Sequence, residues 1–208
     1  MQKVEVTTPA TFPLVTAADM RAYLRLNDSG EDTLLSQFVD AARDLFEVHT
    51  GLVLAASTLR LRLDHWPTAG YRDSASVYPG DFATASCIYI PRGPVNSITS
   101  VQYLDTDGSW QTLTGTSSDI VTQPARVILP TALPGTHPSQ RPAVRVTFTA
   151  GFANAAAVPS AILVAIKLLA AHFYENRTAY GDDMTELPQG WFALTKRFSL
   201  ECSGNWNR

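Results

Sequence analysis

Hydrophobic residues recur with the period of a helix in three stretches of the chain, at residues 16–26, 31–50 and 159–174. The first begins at Thr16 with the spacing of a short capping box. The second is followed by Gly51, a typical residue after a helix C-terminus. The third is apolar on nearly every side, which indicates a central, buried helix. We therefore predict three main helices.

Between the second and third helices the pattern changes to the two-residue period of strands. Residues 58–64 alternate strictly, with leucines on one face and Arg60, Arg62 and Asp64 on the other. Residues 105–108 have the composition of a turn and predict a hairpin. The further predicted strands are 87–90, 98–104, 110–113, 120–121, 126–129 and 143–149.

These patterns predict an α+β fold, a helical bundle of three main helices with an inserted antiparallel β region and an extended C-terminal tail. The tail contains large aromatic residues but no periodic pattern, and residues 67–86 form a loop that is long for a compact domain. The predicted parts are 1–55, the N-terminal helices of the helical core, 56–150, the β-rich region, 151–181, the central helix that completes the core, and 182–208, the tail.

Charge and composition narrow the functional classes. The 208 residues contain 16 basic and 19 acidic side chains, a net charge of −3. Residues 1–50 hold four basic and eight acidic side chains, so most of the negative charge lies on the first two helices. This balance disfavours a protein whose whole surface binds nucleic acid. The apolar stretches predict neither a signal peptide nor a membrane span.

The sequence contains no recognisable catalytic or metal-binding motif. The four histidines are scattered. Asp105 to Gly108 has the beginning of a calcium loop, but Thr116 occupies the position where that loop needs a glutamate. We therefore expect no catalytic residue, no metal and no cofactor. An enzyme with an unrecognised site is the alternative of another class.

Three segments carry a family resemblance: Val144-Arg-Val-Thr-Phe-Thr-Ala-Gly-Phe152, Val158-Pro-Ser-Ala-Ile162 and Ala171-His-Phe-Tyr-Glu-Asn-Arg177. In this order they resemble the C-terminal signature of tailed-bacteriophage head–tail connector (adaptor) proteins. Earlier segments agree with the family's two N-terminal helices and its β region, so the likeness runs colinearly over residues 14–180. The loop at 67–86 is longer than usual for the family, and the chain after Gly181 matches no pattern of it.

The resemblance implies a structural protein of the virion neck, between capsid and tail, that is assembled in the host cytoplasm. Such adaptors form a homo-oligomeric ring, commonly a dodecamer of about twelve subunits, beneath the portal protein. The ring extends the DNA channel, through which packaged DNA passes without sequence-specific binding, and docks a stopper, tail-terminator or other tail protein. No membrane is involved. A stopper or tail-completion protein of the neck is the alternative role.

Three sets of residues are candidates for contacts in such an assembly. For portal binding we select the aromatic and basic residues of the tail; the alternative is that its aromatics fold back on the β region. For the subunit interface we select charged residues of the helices and of one strand; the alternative is that they form solvated faces. The sets are Trp191, Phe192, Lys196, Arg197, Phe198 and Trp206 for the portal, Glu31, Asp32, Asp40, Asp44, Arg60, Arg62, Glu175 and Arg177 for the interface, and Tyr71, Tyr78 and Phe82 of the long loop for the next ring or a neighbour.

Overall fold

The computed structural model of the chain describes residues 2–8, 12–67, 87–176 and 188–200. These ranges contain four α-helices and eight β-strands, and the strand pairs are antiparallel, which confirms the predicted α+β class. The chain divides into two compact units. The β unit comprises Met1–Ala10, Ala56–Gly151 and Leu200–Arg208, and the helical unit comprises Thr11–Ala55 and Phe152–Ser199.

Four helices build the helical unit. They are α1 (Ala17–Leu24), α2 (Asp32–Thr50), α3 (Ser160–Glu175) and α4 (Gln189–Lys196). The first three lie where the sequence pattern predicts them. The fourth corrects the expectation of an extended tail, because its eight residues pack onto α2 and α3 through a buried tryptophan.

The start of α1 shows how local sequence determines a helix boundary. The Thr16 hydroxyl accepts a hydrogen bond from the Asp19 amide at 3.1 Å, and the Asp19 carboxylate accepts one from the Thr16 amide at 2.9 Å. This is the predicted capping box. The hydrogen bonds from the backbone and then the hydroxyl of Thr16 lower the pKa of Asp19 below its ordinary value. Gly51, which directly follows the C-terminus of α2, takes the left-handed conformation at a φ of 76°.

Replacing Thr16 by alanine is expected to lower the free energy of unfolding by about 1 kcal/mol, because it leaves the Asp19 N–H without its acceptor. Since the folded-state pKa of Asp19 is lowered, the contribution of its carboxylate is present above the unfolded pKa of about 3.9 and is lost as the pH falls through the folded pKa. Urea unfolding at pH 7 and at pH 3 measures both effects. A Thr16→Ser variant, which keeps the hydroxyl, should unfold like the native chain, and an equal loss in both variants would contradict the cap.

The core of the helical unit is apolar on the faces that the helices turn toward one another. One side of α2 is buried, and its C-terminal half includes Phe46 with no exposed surface. The exposed face of α3 at Val164 shows that this helix is not buried on all sides, although most of its apolar residues are. The buried residues of α3 are Ile162, Ala165, Ile166, Leu169, Ala170 and Ala171.

Eight strands form two sheets in the β unit. In chain order they are β1 (Gln2–Thr8), β2 (Ser57–Leu63), β3 (Cys87–Tyr89), β4 (Val95–Leu104), β5 (Trp110–Thr112), β6 (Ser117–Asp119), β7 (Arg126–Ile128) and β8 (Val144–Ala150). The larger sheet has the order β1-β2-β8-β4-β5, and the smaller has the order β3-β7-β6. The predicted hairpin joins β4 to β5, with the Asp105 amide bonded to the Ser109 carbonyl at 2.9 Å.

Two predictions about the strands are wrong. Residues 2–8 form the edge strand β1 beside β2, so they belong to the β unit rather than to the N-terminal helices. Residues 120–121 are not a strand; the adjacent strand β6 ends at Asp119, and Val121 is 90% exposed at the bend that follows. An apolar dipeptide without alternating neighbours was too short to indicate a strand.

The large sheet has one apolar and one polar face. Leu59 and Leu61 of β2 and Val146 and Phe148 of β8 point to the buried face. The residues between them point to the other face, and most of these are polar or charged.

Within the described ranges, no helix has the length and apolar character that crossing a bilayer requires.

Candidate functional site

The polar face of the large sheet brings together basic residues from three strands. Across the sheet, Lys3 of β1 pairs with Arg62 of β2, Arg62 with Arg145 of β8, and Arg145 with Gln102 of β4. Directly opposite residues of neighbouring strands share a face. We call Lys3, Arg60, Arg62 and Arg145 the basic sheet face. Both predicted interface residues of β2 therefore lie on it.

The guanidinium groups of this face are held in place by specific neighbours. Glu5 accepts from Arg62 Nη2 at 2.6 Å and lies 3.6 Å from Arg60 Nη1. Arg145 Nε donates to Gln102 Oε1 at 2.7 Å, and the Arg145 guanidinium lies 3.9 Å from the centre of the Trp110 ring. Partial desolvation, followed by the charges of Arg60 and Arg62, lowers the pKa of Arg145. The three guanidinium groups are thus close enough to repel one another.

Positive charge is in excess on this face. The five strands carry four basic side chains and one acidic side chain, Glu5, a net charge of +3. Arg60 Nε is shielded from solvent and has no hydrogen-bond acceptor among the described residues. A buried guanidinium N–H without an acceptor is costly, and the side chain of Arg60 as a whole is 28% exposed.

The acidic candidates of the helical unit differ in their surroundings. Asp32 forms an ion pair with Arg21 at 2.9 Å, and Glu31 accepts a hydrogen bond from the Tyr174 hydroxyl. Asp40 and Asp44 lie one turn apart on the exposed face of α2, and neither carboxylate has an ion-pair or hydrogen-bond partner within the described part of the chain. We call Asp40 and Asp44 the acidic pair.

The predicted portal-binding residues do not share one environment. Trp191 is only 1% exposed, and its ring lies 4.9 Å from the His49 ring of α2. Trp191 therefore belongs to the core of the helical unit rather than to an extended tail, and it packs onto the helices rather than onto the β region. Phe192 is 42% exposed, Lys196 and Arg197 are exposed, and Phe198 is half-buried.

Glu175, another interface candidate, is exposed at the end of α3. Five of the candidate residues lie outside the described residues: Tyr71, Tyr78, Phe82, Arg177 and Trp206. In the ranges that are described, no three His, Cys, Asp or Glu side chains come together in a group that could hold a metal ion.

Sequence reasoning missed two members of the basic sheet face. Arg145 alternates with Val144 and Val146 in a clear strand pattern, so its outward direction could have been predicted. Lys3 belongs to β1, whose alternation of polar and apolar residues is a similar signal. Neither pattern says which strands are neighbours, and only the sheet order brings these residues beside Arg62.

The fold can be compared with known proteins and solved structures. No protein-family model matches the chain, and no curated protein matches its sequence. A chain in the neck of an empty gene transfer agent (GTA) particle, computed with C6 symmetry, superposes on this chain with a TM-score of 0.70, at 24% identity and 95% coverage of both chains. A chain in the neck of a native GTA particle, computed with C12 symmetry, gives 0.66 at 24% identity and 94% coverage of both.

A third chain, in the virion of a native gene transfer agent (GTA) particle, gives a TM-score of 0.71 at 25% identity and 94% coverage of both chains. The chain has the fold of a gene transfer agent neck protein. This likeness confirms, for the fold, the resemblance of the sequence to head–tail connector proteins. The match spans nearly the whole of each chain, so the neck fold includes both the β unit and the helical unit.

Proposed function

We propose that this chain is a structural protein of the neck of a tailed phage or phage-like particle, where it acts as the head–tail connector (adaptor). The observation that carries the proposal is the likeness over 94–95% of both chains to chains of particle necks. A shared subdomain would match only part of each chain. A match over the whole of both chains supports, by analogy of fold, a shared position in the particle.

The proposed chain forms a homo-oligomeric ring of about twelve subunits that surrounds the DNA channel. The C12 symmetry of one structurally similar neck supports this stoichiometry, and the C6 symmetry of another is compatible with it. A ring with rotational symmetry needs two different, complementary faces on each subunit. The two units of the chain offer surfaces of unlike charge: the helical unit has 7 basic and 11 acidic residues, and the β unit has 9 and 8.

For the portal contact we propose the exposed side of α4. Phe192 and Lys196 lie one turn apart on it, and Arg197 follows directly. An exposed aromatic ring beside two cations is typical of a protein interface. Trp191 has a supporting role in this proposal, because its buried ring fixes α4 on α2. The proposed role involves no catalytic residue, cofactor or metal.

Cells that produce the particle without this chain are expected to make heads that lack tails, because the next neck protein has no surface to dock on. Electron micrographs of the purified particles measure the tailed fraction, and supplying the chain from a plasmid should restore it. Normal tailed particles in the absence of the chain would contradict a neck role.

Binding to tailless heads separates the adaptor from the stopper. An adaptor binds directly to portal-bearing heads, whereas a stopper binds only after the adaptor has been added. We expect the purified chain to sediment with these heads, and we expect a Phe192→Ala/Lys196→Ala variant to bind more weakly while remaining folded. Binding only after another neck protein is added would support the stopper role instead.

A further inference from the structure

The strands of the basic sheet face carry more positive than negative charge. Four basic side chains of these strands face one carboxylate of the strands, that of Glu5, and Asp64 follows β2 directly. Repulsion from Arg60 and Arg62 also contributes to the lowered pKa of Arg145. Arg62 and Arg60 remain partly exposed, at 38% and 28% of their side chains. The face can therefore accept further carboxylates from outside.

The same chain carries carboxylates at a matching spacing. Residues four apart on a helix are separated by about 6 Å along its axis, which applies to Asp40 and Asp44. Residues two apart on a strand are separated by about 6.7 Å, which applies to Arg60 and Arg62. Two carboxylates can thus meet two guanidinium groups at once, and paired Arg–carboxylate contacts are the strong, geometrically specific kind.

We propose that the basic sheet face of one subunit binds the acidic pair on α2 of a neighbouring copy of the same chain. This inference rests on the proposed ring and names the surfaces that join its subunits. The contact is heterologous, with a strand face on one side and a helix face on the other, as a closed ring requires. The partner is a second copy because the chain itself supplies the complementary charge at the complementary spacing.

Charge reversal of both faces tests the contact. The reversed sheet variant is Lys3→Glu/Glu5→Arg/Arg60→Glu/Arg62→Glu, which gives the face a net negative charge and keeps the ion pairs within the sheet with opposite sign. The reversed helix variant is Asp40→Lys/Asp44→Lys. Each alone places like charges across the interface and should lower incorporation into the ring by about 30-fold or more. A chain that carries both sets restores opposite charges between residues 60 and 62 of one copy and residues 40 and 44 of the next, and should regain incorporation.

The readout is the amount of chain bound per portal-bearing head, together with circular dichroism to show that each variant is folded. Asp28→Lys/Asp107→Lys is the matched control, since it changes the net charge as the helix variant does at two exposed positions away from α2's acidic pair. This control should bind like the native chain. Raising the salt concentration should weaken binding of the native chain and leave a neutral Arg62→Gln/Asp44→Asn variant less affected.

A milder double-mutant cycle covers the case in which a reversed variant fails to fold. Arg60→Gln/Arg62→Gln and Asp40→Asn/Asp44→Asn should each weaken incorporation, and the chain with all four changes should be no weaker than the weaker of these two variants, because the two pairs share one contact. Effects that multiply would overturn the inference. So would a folded, doubly reversed chain that stays as defective as the reversed sheet variant.

The outcomes also separate this inference from the role on which it rests. If the native chain does not bind portal-bearing heads at all, the proposed function fails. If the native chain binds but the charge swap does not rescue, the function stands and the assigned interface is wrong. Loss of binding to duplex DNA by the reversed sheet variant, with normal ring incorporation, would assign the basic sheet face to DNA instead.

Discussion

Replacing Trp191 by alanine is expected to lower the free energy of unfolding of the helical unit by about 3–5 kcal/mol. The indole is almost completely buried and contacts the His49 and Phe192 rings, so its removal leaves a large cavity between α2 and α4. Its Nε1 has no hydrogen-bond partner among the described residues. A Trp191→Phe variant should therefore lose less stability, because phenylalanine fills most of the space and removes an unsatisfied donor.

Urea unfolding followed by the helical circular dichroism signal measures this effect. Phe192→Ala is the matched control, because Phe192 is the next residue on the same helix and is largely exposed. The Phe192→Ala control should lower the free energy of unfolding by less than about 1 kcal/mol. If Trp191→Ala were as mild as this control, α4 would not be anchored by its tryptophan.

Replacing Phe148 by alanine is expected to destabilise the β unit by about 3–5 kcal/mol. Phe148 lies in β8, between β2 and β4, and has no exposed surface. Its cross-strand neighbours on the apolar face are Leu59 and Ile98. No shift of an edge strand can close a cavity at the centre of the sheet, so little of the lost contact is recovered.

Thr149→Ala is the control for this variant. Thr149 is adjacent on β8 and points to the opposite, polar face, where its hydroxyl shares a 2.8 Å hydrogen bond with the Ser97 hydroxyl. Loss of one half-exposed hydrogen bond should cost about 1 kcal/mol. Urea unfolding compares the two, and equal effects would show that β8 does not have the register described above.

The helices could be predicted because each carries its own information. The capping residues of α1, the long amphipathic pattern of α2 and the apolar run of α3 are all local signals. The same holds for the hairpin at Asp105 to Gly108, where Gly108 takes a φ of 79° that suits glycine. Short strands such as β6 have no such signal, because three polar residues do not establish a period.

The candidate surfaces could be predicted only in part, since they depend on contacts between distant segments. The exposure of Asp40 and Asp44 follows from the helical pattern of α2 alone. The clustering of Lys3, Arg62 and Arg145 depends on the order of β1, β2 and β8 in the sheet. Trp191 is selected as a partner contact because the tail shows no periodic pattern in the sequence, and its burial comes from the packing of α4 on α2.

The most direct test of the proposed role is an image of the assembled neck of the particle that contains this chain, at a resolution that shows side chains. We predict a ring of about twelve copies directly beneath the portal, with both units of the chain ordered around the DNA channel. A neck in which this position is filled by another protein, or in which the chain is absent, would contradict the proposal.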